Sequence, residues 1–142
     1  MQKRRKARIA ALEVLYQREL TNYPVEKIVQ NKLSAGGKDL SDFALRIVDG
    51  VKNHNQKIDD MIKKYADNWA LDRMPSLDRN IIRISLYEML YEEDIPCSVS
   101  INEAVELAKI YGTGESGKFV NGVLGKIATE INKDKAEINE PK

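Results

Sequence analysis

Residues 77–92 read LDRNIIRISLYEMLYE, and this stretch decides the fold. Its period is helical, but apolar side chains stand on nearly every face instead of forming one stripe. A helix of that kind is stable only when other elements surround it. The stretch therefore predicts a central helix. Ser76 is its predicted N-cap, and Asp78 falls in the first turn, where the helix dipole favours a carboxylate.

Helical periodicity continues on both sides of this stretch, and no segment has the pattern of a strand. The sequence predicts an all-α protein, a compact bundle of about seven helices in two helical lobes. The other predicted helices lie at about 5–19, after Pro24, from Asp39 or Ser41, along the stripe from Ile58 to Trp69, from the capping box Ser100–Glu103, and from Gly117 to about 131. The predicted single domain is 1–132, with lobes of about 1–70 and 71–132, followed by a flexible tail at 133–142.

The composition excludes several classes of protein. The chain has 142 residues, of which 42% are apolar and 32% charged, as expected for one soluble, helix-rich domain. No apolar run approaches the ~20 residues that a membrane span needs. A single cysteine, Cys97, and a single histidine, His54, exclude a disulfide framework and zinc sites rich in those residues. We predict no metal, no cofactor, no membrane association and a cytoplasmic location.

Positive charge is concentrated at the start of the chain. Residues 1–18 hold six basic side chains and one acidic one, whereas the other residues hold 17 basic and 21 acidic ones. Five of the basic residues fall within 3–8, a segment called here the basic arm. Such a cluster is either a solubilising tail or a contact for nucleic-acid phosphates. The mildly acidic remainder of the chain suits a basic protein partner.

Residues 112–118, GTGESGK, have the spelling of a phosphate-binding loop. The motif requires Ser or Thr after its lysine, to hold magnesium, but Phe119 stands there. It also requires a preceding β-strand, whereas the segment before Gly112 has the pattern of a helix. We therefore interpret these residues as a connection between two helices and not as a nucleotide site.

Phe119 lies off the apolar stripe of the last helix, about 100° from its centre. An aromatic ring at a helix start, beside a glycine loop and next to Lys118, suits stacking on an unpaired base. Packing against another helix is the alternative, and periodicity does not decide between them.

The central helix carries charges that need partners. Arg79 and Arg83 are four residues apart, and Glu88 follows them on the same helix. They form either internal ion pairs, for instance with Asp78 or Glu103, or a site for a partner chain. The acidic run Glu92–Asp94 is likewise either a solvated surface or a contact for a basic partner.

Four stretches together resemble the NusB family of bacterial transcription factors. They are RRKARIAALEVLYQRE at 4–19, the junction from Trp69 to Arg73 leading into LDRNIIRISLYEML, SINEAVELAKIYG at 100–112, and SGKFVNGVLGKI at 116–127. The resemblance implies an all-helical protein of two lobes that is not an enzyme. It implies a partner, NusE, which is also a ribosomal protein, and binding of boxA RNA within an antitermination complex with RNA polymerase, chiefly on ribosomal RNA operons.

The resemblance also implies roles for individual residues. The RNA-binding residues would be Lys3, Arg4, Arg5, Arg8, Lys118 and Phe119, and the NusE-binding residues would be Tyr16, Arg79, Arg83 and Glu88. The loop here carries an extra glycine, and Glu115 takes a place often held by Asp. Family members occur free as monomers and as homodimers, so both states stay open.

Two other functions stay open as well. One is a protein–protein adaptor without RNA contact, which the basic arm disfavours. The other is a relative of the NusB-like domain that precedes some RNA cytosine methyltransferases, which we do not expect because 142 residues leave no room for a cofactor-binding domain.

Overall fold

The computed structural model describes residues 3–66 and 71–139, with side chains up to residue 132. Within these ranges the chain forms seven α-helices and one short 3-10 helix, and no strand is present. The all-α prediction is therefore confirmed. The helices are α1 (Lys3–Thr21), α2 (Val25–Ser34), α3 (Asp42–Asn53), α4 (Asn55–Tyr65), α5 (Ser76–Tyr91), α6 (Cys97–Tyr111) and α7 (Ser116–Asn139), and the 3-10 helix is Leu71–Arg73. Trp69, predicted to continue the stripe of the fourth helix, lies outside the described residues.

Helix α5 is central, as its sequence predicts. It contacts α1, α3, α4, α6 and α7. Ile81, Ile82 and Leu86 are fully buried, and the buried apolar side chains of all these helices form one continuous core. The division into two lobes at residue 71 stays a prediction. Helix α4, before this boundary, contacts α7, after it, as well as α3.

Gly50 lets α3 approach α5 closely. A Cβ atom at this position would overlap the ring of Tyr87, which is buried. The residue that lowers helix propensity in α3 is thus the one that allows the two helices to pack.

Several helix ends differ from the prediction, and proline explains two of them. Pro75 and Pro96 occupy the N-cap positions of α5 and α6, and neither cap makes a side-chain hydrogen bond. Ser76 and Ser100 therefore lie inside their helices, and their hydroxyls donate instead to the partly buried Glu19 and the buried Glu88. Ser41 does cap α3, since its side chain accepts a hydrogen bond from the Ala44 amide at 3.3 Å.

Helix α7 ends later than the sequence predicts. It continues to Asn139, whereas the apolar stripe ends at Ile131. Residues 133–138 read KDKAEI, and Lys, Ala and Glu are good helix formers, which favours continuation of the helix beyond the predicted end.

Candidate nucleic-acid interface

The basic arm forms the first turns of α1, and acidic residues hold two of its arginines at the surface. The Arg4 Nη2 donates to Asp94 at 3.1 Å. The Arg5 guanidinium makes a two-point contact with Glu103, at 2.9 and 3.1 Å. The side chain of Arg4 is 46% exposed and that of Arg5 31%, so both guanidiniums remain accessible. Lys3 is exposed next to them.

These contacts change the pKa of the acidic partner in each pair. The hydrogen bond from Arg4 lowers the pKa of Asp94, and that from Arg5 lowers the pKa of Glu103. Both carboxylates therefore stay ionised well below neutral pH. An approaching phosphate meets arginines that already have one anionic partner each.

Arg8 is not on the surface, contrary to the sequence prediction. Its side chain is only 4% exposed and makes two hydrogen bonds of 2.8 Å with Glu88, which is buried as well. The Ser100 hydroxyl donates a third bond to the same carboxylate at 2.8 Å. Arg8 was predicted to contact RNA and Glu88 a protein partner, but the two form one internal ion pair that joins α1 to α5. The correction follows from position, because Arg8 lies one turn further along α1 than Arg4, where the helix enters the core.

A second cluster of charges lies at the other end of α1. Glu19 accepts from Arg79, at 3.0 and 2.5 Å, and from Arg83 at 2.5 Å. Arg83 also makes a two-point contact with Asp59 of α4, at 2.8 and 3.0 Å. The internal pairing foreseen for the two arginines is present, but its acids are Glu19 and Asp59 and not Asp78 or Glu103.

Further hydrogen bonds connect the second cluster to neighbouring parts of the chain. Arg79 donates to the carbonyl oxygens of Leu71 and Met74, at 2.8 and 2.9 Å, which ties α5 to the 3-10 helix. Burial alone would raise the pKa of Glu19, but the hydrogen bonds from Arg79, Ser76 and Arg83 outweigh it and lower that pKa to about 2. The cluster therefore connects four elements through charged side chains: α1, α4, α5 and the 3-10 helix.

Apolar side chains are exposed beside this second cluster. Leu20 is 64% exposed and Tyr23 is also exposed, while Tyr16 is half-buried one turn before Leu20. The apolar spacing of Leu12, Leu15, Tyr16 and Leu20 predicts that all four lie on the inner side of the first helix. The prediction is wrong for Leu20, which stands in the last turn of α1 and is exposed. Leu20 was missed as a surface residue because of this spacing.

The glycine loop between α6 and α7 is held by Ser116. Its hydroxyl accepts from the Thr113 amide at 2.9 Å and donates to the buried carboxylate of Asp78 at 3.1 Å. Gly112 is needed at the end of α6, since a Cβ there would overlap the Ser116 side chain. Helix α6, and not a strand, precedes the loop, so it lacks the context of a phosphate-binding loop.

Lys118 and Phe119 occupy the first turn of α7. Lys118 is exposed and lines an open groove of about 560 Å³ together with Asn102, Lys109 and Asn121. Phe119 is half-buried and packs partly against the core. Packing of Phe119 against the core is therefore present, and its contact with a base stays a prediction.

The single histidine and the single cysteine of the sequence both lie within the described part of the chain. The His54 ring stacks on Tyr91 at a centroid distance of 4.0 Å, and Cys97 is half-buried at the start of α6. Among the described side chains, no group of His, Cys, Asp and Glu is arranged to hold a metal ion. None of the helices in residues 3–66 and 71–139 is long and apolar enough to cross a membrane.

Comparison with known proteins identifies the family. The model of the NusB family matches residues 5–129. A transcription antitermination protein NusB from Thermodesulfovibrio yellowstonii is 44% identical over 140 residues, covering 90% of this chain and 93% of the relative. The structure of T. maritima NusB superposes with a TM-score of 0.80 at 38% identity, covering 96% of this chain and 98% of that one.

A second solved structure includes partners. It is described as antitermination factors NusB and NusE in complex with dsRNA, and its matched chain is 28% identical with a TM-score of 0.80, covering 92% of this chain and 98% of that one. The family match and the identity over most of both chains establish that this chain belongs to the NusB family.

Proposed function

We propose that this chain is a transcription antitermination factor that binds boxA RNA of ribosomal RNA operons together with NusE. The observation that carries the proposal is the division of α1. Its first turns present arginines to solvent, and its last turns present apolar side chains about 24 Å away along the helix axis. The helix thus separates an RNA surface from a protein surface. The relatives named antitermination proteins, and the solved complex of NusB and NusE with RNA, support RNA and NusE as the partners.

The proposed RNA surface consists of Lys3, Arg4, Arg5, Lys118 and Phe119. The exposed guanidiniums and ammonium groups suit phosphates, whereas the ring of Phe119 suits a base. Helix α6 connects the two parts, because Glu103 contacts Arg5 while the preceding residue, Asn102, lines the groove beside Lys118. In this proposal Arg8 does not touch RNA but anchors the arm from inside.

The proposed NusE surface is centred on Tyr16 and Leu20, at the end of α1. An exposed leucine beside a half-buried tyrosine is typical of the apolar centre of a protein interface. Arg79 lies at the edge of this surface and contributes a charged rim. Arg83 and Glu88, which the sequence predicts as direct contacts, are both buried. Arg83 bonds Glu19 next to this surface, whereas Glu88 is paired with Arg8 near the start of α1.

The chain acts by binding in this proposal and performs no catalysis, and RNA polymerase is reached through the assembled complex. An adaptor that binds only protein is the competing function, and one observation favours it: Arg4, Arg5 and Arg8 all have acidic partners within the chain. The deciding experiment is a titration of labelled boxA RNA with the chain alone, with NusE alone and with both. We expect the tightest binding from the pair. If the chain joins NusE without changing its RNA affinity, the adaptor function is correct instead.

A further inference from the structure

Three guanidinium groups surround the ring of Phe43 on α3. The guanidinium carbon of Arg4 lies 4.8 Å from the ring centroid, and those of Arg8 and Arg46 lie at 5.4 Å. Arg46 belongs to α3, and no sequence motif connects it with the basic arm. We propose that Arg46 binds an RNA phosphate beside Arg4, so that the RNA surface continues from α1 onto α3. The inference rests on the proposed function and adds to it a residue and a direction for the RNA backbone.

The hydrogen bonds of Arg46 lie on the side of its guanidinium that faces the protein. Its Nε and Nη2 each donate to Glu92 at 3.2 Å, and Glu92 also accepts from the Tyr87 hydroxyl at 2.6 Å. The Glu92 side chain is 9% exposed, whereas that of Arg46 is 51% exposed. The guanidinium therefore has its anionic partner beneath it and its open edge in solvent.

That open edge suits a phosphate. A guanidinium has five N–H donors, and Glu92 takes two of those of Arg46. The remaining donors can bind phosphate oxygens while the contact with Glu92 stays intact. Because Glu92 and the Phe43 ring already fix the side chain, less conformational entropy is lost on binding than for a free arginine.

Arg4 is arranged in the same way next to it. It shares the ring of Phe43 with Arg46, and its acidic partner, Asp94, is itself exposed. The two guanidiniums are therefore neighbours on one surface, with acids at their edges. Arg8, the third group at the ring, is buried against Glu88 and is out of reach of RNA. Phe43 thus positions two accessible arginines and one internal one.

The test compares Arg46→Gln with a matched control, Arg73→Gln. Arg73 is exposed on the 3-10 helix, near the far end of α1, so the control removes the same charge away from the basic arm. Binding of boxA RNA in the presence of NusE is measured by fluorescence anisotropy across a series of salt concentrations. Release of counterions from one single-strand phosphate contact gives a log–log slope of about 0.7, which corresponds to about a fivefold loss of affinity at 0.1 M salt. We expect that loss and that slope change for Arg46→Gln and wild-type behaviour for Arg73→Gln.

Two further variants keep the result interpretable. The double variant Arg46→Gln, Glu92→Gln leaves no unpaired acid beneath the surface, so it should fold normally and still show the same loss of RNA affinity. Arg4→Gln reports on the proposed function by itself. If Arg4→Gln lowers the slope but both Arg46 variants bind RNA like wild type, Arg46 is only the structural partner of Glu92. If even the wild-type chain adds no salt-dependent RNA affinity, the proposed function fails, and the role of Arg46 with it.

Discussion

Arg8 tests whether the basic arm has an internal anchor separate from its proposed RNA-binding residues. The perturbation is Arg8→Met, which keeps much of the side-chain volume but removes the guanidinium. Glu88 would then keep only its bond from Ser100, as a buried carboxylate with no cation. Removing one partner of a buried ion pair costs about 3–5 kcal/mol of the free energy of unfolding. For a chain of this length, 1 kcal/mol corresponds to roughly 3 °C in Tm, so the expected fall is about 10 °C.

The assay has two parts. Thermal unfolding followed by circular dichroism gives the Tm, and RNA anisotropy at 10 °C, where the variant is still folded, gives the affinity. We expect a lowered Tm with nearly unchanged RNA affinity and salt slope. The double variant Arg8→Met, Glu88→Leu removes both charges and should recover most of the stability, because a buried pair replaced by apolar side chains is often neutral or better. A variant Arg8→Met that melts like wild type but loses RNA affinity and slope would refute the reasoning.

Three further predictions follow from the other surfaces. The carboxyl of Glu19 has a folded-state pKa of about 2 against an ordinary value of 4.5. Its contribution to the free energy of unfolding is therefore complete above pH 4.5 and is lost as the pH falls toward 2. Urea unfolding across this range should show a weaker pH dependence for Glu19→Gln than for wild type. Phe119→Ala should lower boxA affinity about tenfold or more, because one base stack is lost. Its Tm should fall less than after the same substitution of a fully buried phenylalanine, since Phe119 is only partly buried. Unchanged affinity in the folded protein would assign the ring to packing alone. Leu20→Asp should weaken NusE binding, measured by calorimetry, at least tenfold while leaving the Tm within a few degrees, because Leu20 is exposed; normal NusE affinity would place the partner elsewhere.

The architecture was predictable because the decisive signal is local. Residues 77–92 carry apolar side chains on nearly every face, and this pattern predicts α5 at the centre. Helix starts were less predictable, because Ser76 and Ser100 have the chemistry of caps while Pro75 and Pro96, one and four residues earlier, occupy the cap positions. A serine inside the helix is then free to bond a distant carboxylate.

The charge pairs could not be predicted from the sequence. Arg8 and Glu88 are 80 residues apart and Arg5 and Glu103 are 98 apart. They meet only in the folded chain, in which α1 packs against α5 and α5 packs against α6. Charge counting correctly identified a basic segment but could not tell which of its arginines remain accessible. For Leu20 the helical stripe was misleading, since periodicity assigns a face but not the length over which neighbouring helices cover it.

The most direct test of the account measures how the affinity for boxA RNA in the presence of NusE depends on salt, for wild type and for the variant Arg4→Gln, Arg5→Gln. Two phosphate contacts on a single strand correspond to a fall of about 1.4 in the log–log slope. We predict that fall together with unchanged NusE binding, because Leu20 and Tyr16 lie at the opposite end of α1. An unchanged slope in this variant would contradict the account and would leave the basic arm as a structural element joined to Asp94 and Glu103.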